Sequence, residues 1–87
     1  MSAREEALTE TGAPVDRPRH RLDVASLGPP EPLVRTLETL ESLPDETVLV
    51  QVNDRVPRFL YPKLRDRGYA FETVEREEVV VTVIWRP

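Results

Sequence analysis

Three prolines within four positions, Pro29, Pro30 and Pro32, restrict the fold of this chain more than any other feature of its sequence. Proline fixes the backbone φ angle and lacks an N–H group, so a helix tolerates it in the first turn and not in the interior. Shortly before them, Leu22–Val24 alternate apolar and polar side chains with the period of a half-buried strand. This stretch therefore predicts a strand, a turn and then a helix that begins within Pro29–Pro32, which we call the proline box.

The rest of the sequence continues this alternation of strands and helices. Leucines recur at helical spacing after the proline box, a valine-rich strand is predicted over Thr47–Val52, and a second helix over Val56–Arg67. Pro62 does not suit the interior of that helix, so we expect a bend or a late start there. Tyr69–Val74 and Val79–Trp85 predict a hairpin. The order β-α-β-α-β-β indicates an α+β fold, a two-layer sandwich with two helices on one face of a four-stranded mixed sheet.

Composition limits the possible classes of function. The chain has 87 residues, a net charge of −4 and no cysteine, which excludes disulfides, thiol catalysis and thiolate metal sites. The first residues lack apolar periodicity, so we expect a disordered tail over residues 1–18 and one domain over residues 19–87. No run is long enough to cross a membrane, and the N-terminus lacks the apolar core of a signal peptide. We therefore expect a cytoplasmic protein with no membrane partner, no metal and no cofactor.

A family resemblance appears around the proline box. Leu22-Asp23, Leu27 and Pro30-Glu31-Pro32 are similar to the opening of the TusA/SirA sulfur-carrier proteins, which run Leu-Asp, then Leu, one residue, and Cys-Pro-Glu-Pro. In that family the cysteine carries a persulfide and hands sulfur to a partner. Its place falls on Pro29 here, so the resemblance does not carry that activity over.

The resemblance is closer to a cysteine-less branch of the same fold, known as a domain of unknown function. Asn53-Asp54, Pro57, Leu60-Tyr61 and Gly68-Tyr69 resemble that branch. The resemblance implies a two-layer sandwich with strand order 1-2-4-3. In related chains such a domain sits beside hemerythrin-like or redox domains, which implies a place in sulfur, nitrogen-oxide or anaerobic metabolism.

Two loops are expected to meet at one edge of the predicted sheet. Residues 27–32 follow the first strand and residues 53–58 follow the second, and the carboxyl ends of parallel strands share an edge where binding sites form. The alternative is that the prolines only start a helix and the polar residues only cap it. The candidate binding residues are Pro29, Pro30, Glu31, Pro32, Asp54, Arg55, Arg58 and Tyr61.

The preferred function is a small non-enzymatic binding or adaptor module that engages a protein partner or a small anion with this loop surface. One alternative is an enzyme or accessory protein in sulfur or anaerobic redox metabolism that uses Arg55, Arg58 and Tyr61. The only histidine lies beside the tail and no paired acids face inward, which disfavours acid–base catalysis. A second alternative is a nucleic-acid module that uses the basic cluster Arg17–Arg21, although net acidity and the absence of an aromatic platform disfavour it.

The last predicted strand is apolar on both faces, unlike a strand in a one-sided sheet. If Val79, Val81 and Val83 face the helices, then Leu49, Val80 and Ile84 lie on the open face. The opposite parity would expose Val79, Val81, Val83 and Trp85. We expect Leu49, Val80 and Ile84 to form an interface with a partner or with a second copy as a homodimer.

Overall fold

The computed structural model describes residues 11–87. Its elements are β1 (Arg19–Asp23), α1 (Glu31–Ser42), β2 (Val48–Asn53), α2 (Leu60–Asp66), β3 (Ala70–Glu75) and β4 (Val80–Trp85). The four strands form one sheet in the order β1-β2-β4-β3, with β1 parallel to β2 and the other pairs antiparallel. This confirms the predicted α+β fold and its mixed sheet. None of the helices in this part of the chain has the length and apolar character needed to cross a membrane.

Prolines and one glycine set the limits of both helices. Helix α1 begins at Glu31, which puts Pro32 in its first turn, where the missing N–H has no intrahelical partner. Helix α2 begins only at Leu60, so Pro62 also lies in a first turn, and the predicted late start is confirmed. The chain leaves α2 through Gly68, whose φ of 78° is a left-handed conformation that favours glycine.

Both helices cover the same face of the sheet. Leu40 of α1 and two leucines of α2 share a core cluster with Leu49 of β2 and Ile84 of β4. Leu49 and Ile84 are fully buried there, and Val80 is 7% exposed. The predicted open face is therefore wrong for Leu49 and Ile84, which lie beneath the helices. A strand that is apolar on both faces has no alternation from which its parity can be read.

On the second face of the sheet, the central strands β2 and β4 are also buried within the single chain. Val48, Val50, Val81 and Val83 form a second core cluster, and Ala13 from the segment before β1 belongs to it. These valines are at most 5% exposed, so the exposed apolar face on which the predicted homodimer depended is not found in the described part of the chain.

The segment of residues 11–17 is attached to the sheet by hydrogen bonds as well as by Ala13. The Gly12 N–H donates to Glu72 Oε1 on β3 at 3.1 Å, and Arg17 Nη1 donates to the Arg86 carbonyl at 2.6 Å. The remaining residues of the predicted tail, 1–10, lie outside the described residues. We call residues 11–17 the N-terminal strap.

Candidate functional site

The loops that follow β1 and β2 lie side by side. These strands are parallel and in register from Arg19 opposite Val48 to Asp23 opposite Val52, so both chains leave the sheet at the same edge. The Val24 N–H donates to the Val52 carbonyl at 2.8 Å and extends the pairing to that edge. A cavity of about 320 Å³ lies between the two loops. We call it the loop cleft.

Most of the wall of the loop cleft is apolar. Its lining residues are Pro29, Pro30, Pro32, Leu33, Gln51, Asn53, Arg55, Val56, Pro57, Arg58, Phe59 and Leu60. Leu60 is 1% exposed and forms part of the floor, whereas Phe59 is 85% exposed at the mouth. A large aromatic side chain left in water beside an apolar cavity is typical of a binding surface.

Two buried amides of β2 supply the polar groups on the inner side of the loop cleft. Gln51 is fully buried, and its Nε2 donates to Thr36 Oγ1 on α1 at 2.8 Å. Thr36 Oγ1 donates in turn to the Pro32 carbonyl at 2.7 Å. Asn53 is 3% exposed, and its Oδ1 accepts a hydrogen bond from the Asp54 N–H.

The orientation of the Gln51 amide follows from the chemistry of its neighbours. A carbonyl oxygen only accepts hydrogen bonds, so the single hydroxyl proton of Thr36 is used on Pro32. The Thr36 oxygen must then accept from Gln51, which fixes Nε2 toward Thr36. Gln51 Oε1 is left as a buried acceptor without a hydrogen-bond partner.

The charged groups of the loop cleft are both arginines. Arg55 Nε lies 3.1 Å from Asp54 Oδ1 in an exposed ion pair. Arg58 is exposed and makes no ion pair with any residue from 11 to 87. No carboxylate lines the cleft, so its charged side chains are all positive.

The structure brings five of the eight candidate residues together and separates the other three. Pro29, Pro30, Pro32, Arg55 and Arg58 line the loop cleft. The three residues outside its lining are Glu31, Asp54 and Tyr61.

Each of these three side chains has a partner elsewhere. Glu31 pairs with Arg35 on α1 at 3.7 Å. The Tyr61 ring stacks on Phe71 with centroids 4.8 Å apart, and its hydroxyl is hydrogen-bonded to Thr73. Tyr61 therefore joins α2 to β3. It does not line the cleft with Arg55 and Arg58, as the enzyme alternative requires.

Seven of the lining residues were not among the eight named candidates: Leu33, Gln51, Asn53, Val56, Pro57, Phe59 and Leu60. Three of them, Asn53, Val56 and Pro57, lie in the loop of residues 53–58 that was predicted at this edge. A signal for two of them was present, since Gln51 and Asn53 are the only amides in a valine-rich strand. Polar residues in such a strand indicate either a solvated face or a buried site, and here they mark a buried one.

Other groups of polar and charged side chains outside the loop cleft do not form a second site in the described residues. Within residues 11–87, no three His, Asp or Glu side chains are grouped so that they could hold a metal ion. In the basic cluster, Arg17 is bound to the Arg86 carbonyl and Arg21 pairs with Asp23 at 3.1 Å. His20 is exposed on β1.

A family model described as an uncharacterized conserved protein (DUF2249) matches residues 21–86. The chain belongs to this family. The match includes both loops of the cleft and every strand and helix except the first two residues of β1. No curated protein and no solved structure is similar enough to the chain to count as a match. The predicted membership in a domain family of unknown function is confirmed, whereas none of these comparisons links the DUF2249 domain to the TusA/SirA proteins.

Proposed function

We propose that the DUF2249 domain is a non-enzymatic binding module that holds a small anionic ligand in the loop cleft. The observation that carries this proposal is the cavity itself, an apolar space of about 320 Å³ with an exposed phenylalanine at its mouth. Pockets for small molecules are mostly apolar with a few placed polar groups, and their volumes begin near roughly 300 Å³. The loop cleft is at the small end of that range.

The side chains of the cleft favour binding over catalysis. Its only polar side chains are those of Gln51, Asn53, Arg55 and Arg58. Amides do not titrate, and arginine stays protonated in proteins. General acid–base catalysis needs a group that gains and loses a proton near neutral pH, and the lining supplies none.

The charge of the cleft supports an anion as the ligand. Arg55 and Arg58 both line the cleft, and although Asp54 pairs with Arg55, no carboxylate of residues 11–87 pairs with Arg58. Guanidinium groups bind carboxylates and phosphates through paired hydrogen bonds. Arg58 has no ion-pair partner in the described chain, so binding through it does not require an existing pair to break.

The proposed scaffold is that of the sulfur carriers without their chemistry. The strand order β1-β2-β4-β3 supports this relation, as does the place of Pro29, which lines the cleft where the resemblance puts the sulfur-carrying cysteine. On this proposal the surface has kept a binding role in the cytoplasm and has lost the persulfide.

A screen of small anions against two serine variants tests this function. Phosphate, sulfate, acetate and a set of apolar carboxylates are titrated into the wild type, Phe59→Ser and Val34→Ser. Phe59 is at the cleft and Val34, 45% exposed, is on α1 outside it. We expect an apolar carboxylate to bind the wild type and Val34→Ser equally, and Phe59→Ser more weakly. Equal binding by all three proteins, or binding of a protein partner alone, would contradict the proposal.

A further inference from the structure

We infer that the loop cleft takes a small carboxylic acid whose apolar body ends in an N–H or O–H donor. The donor binds Gln51 Oε1 at the floor, and the carboxylate binds the arginines at the mouth. This inference rests on the proposed function and adds to it the chemical class of the ligand.

Gln51, a lining residue of the cleft, lacks one hydrogen-bond donor at its Oε1. Gln51 Oε1 is buried and unpartnered, and the bonds from Gln51 to Thr36 and from Thr36 to Pro32 prevent the amide from turning to satisfy it. More than nine in ten buried polar groups in proteins have a partner, so an acceptor that is both fixed and unpaired marks a place where a donor belongs. A ligand that supplies an N–H or O–H removes the penalty of this unpaired oxygen.

The walls determine the middle of the ligand. Between floor and mouth the cleft presents proline rings and the side chains of Leu33, Val56 and Phe59. These groups offer no hydrogen bonds, so a polar ligand body would lose its water without compensation. An apolar body, aromatic or aliphatic, gains from the same burial.

The mouth determines the other end of the ligand. Arg55 and Arg58 lie on the loop that follows β2, whereas Gln51 lies within the strand. A ligand that reaches from the buried amide to the exposed guanidinium groups has its donor and its carboxylate at opposite ends. Free arginine at an open mouth also raises the rate at which anions meet the cleft.

Three matched probes test this assignment by calorimetry. The first, para-hydroxyphenylacetate, has both ends. Phenylacetate lacks the donor, and para-hydroxyphenylethanol lacks the carboxylate. We expect the first probe to bind the wild type roughly tenfold more tightly than either of the others, since each loses one hydrogen-bonded contact.

Two variants connect each end of the ligand to its residue. Gln51→Met keeps a similar volume and removes the acceptor, so it should abolish the preference for the hydroxyl and leave the preference for the carboxylate. Arg55→Gln together with Arg58→Gln should do the reverse. A measurement on the wild type does not depend on the folding of any variant. At saturation, the side-chain N–H signals of Gln51 should shift further with para-hydroxyphenylacetate than with phenylacetate, which has the same ring and lacks the donor.

The outcomes distinguish this inference from the proposed function. Equal affinity of the wild type for para-hydroxyphenylacetate and phenylacetate overturns the inference and leaves an anion-binding cleft. A hydroxyl preference that persists in Gln51→Met also overturns it. The absence of binding by every probe at millimolar concentration contradicts both.

Discussion

Gln51 Nε2 donates a hydrogen bond of 2.8 Å to Thr36 Oγ1, and this bond joins the centre of β2 to α1 beneath the loop cleft. Both residues are fully buried. Because Thr36 also donates to Pro32, the same short network connects the strand to the first turn of α1, where the proline box lies. The position of the prolines in the cleft thus depends on a buried polar contact as well as on apolar packing.

The first prediction concerns this network. Thr36→Val should lower the free energy of unfolding by about 1–3 kcal/mol, because it leaves the Gln51 amide buried without an acceptor. Replacing both residues, as Thr36→Val with Gln51→Leu, should recover part of that loss. Chemical denaturation of the wild type, both single variants and the double variant measures the coupling. If the loss of unfolding free energy in the double variant equals the sum of the losses in the two single variants, the two side chains do not depend on each other.

The second prediction concerns the N-terminal strap. Ala13 is 6% exposed in the cluster of valines, whereas Val15, two positions later, is 63% exposed. Ala13→Asp should lower stability by about 1–3 kcal/mol because it buries a polar group, and Val15→Asp should change it by less than about 0.5 kcal/mol. Thermal denaturation compares the two. Equal melting temperatures would show that the strap does not hold the sheet in solution.

The strap and β4 show where the sequence was informative and where it was not. Element order and the late start of α2 followed from proline positions and apolar periods, which are local signals. The parity of β4 had no such signal, because both of its faces are buried and residues 80–85 are almost uniformly apolar. Ala13 has no periodic neighbours, so its burial depends on long-range packing that no local pattern contains.

For the candidate site too, the sequence was informative about local features and not about long-range contacts. The two loops were predicted to meet because parallel strands share their carboxyl edge, and five candidate residues line the cleft. Tyr61 was misplaced because the sequence does not reveal that its ring stacks on Phe71, ten residues away on β3. Phe59 falls within the helix predicted over Val56–Arg67, yet α2 begins one residue later, at Leu60, and Phe59 is exposed.

The third prediction uses Ile84. If Ile84 lay on an exposed face of the sheet, Ile84→Lys would separate the two copies of a homodimer without unfolding them. Ile84 is instead fully buried beneath the helices. An unpaired ammonium group there should lower the free energy of unfolding by about 4 kcal/mol or more. Circular dichroism should show unfolding of Ile84→Lys at temperatures where Val34→Lys, changed at an exposed position of α1, stays folded. A folded, stable Ile84→Lys would contradict the burial of Ile84 beneath the helices.

The fourth prediction compares two exposed cations. Arg58 lines the loop cleft, and Lys63 on α2 does not. Arg58→Glu and Lys63→Glu change the net charge equally, so any effect of overall charge on anion binding is shared. We expect Arg58→Glu alone to weaken binding of para-hydroxyphenylacetate, by roughly tenfold or more, and both variants to melt like the wild type. Equal weakening by the two substitutions would indicate a general field effect and no specific site.

The most direct test of the loop cleft as the binding site is a map of amide shifts during titration of the wild type with para-hydroxyphenylacetate. We predict saturable shifts that concentrate in the non-proline residues of 29–33 and 51–60, with Phe59 and the Gln51 side chain among the largest. Shifts that concentrate instead on the N-terminal strap, or on Arg19 and Arg21 of β1, would contradict it.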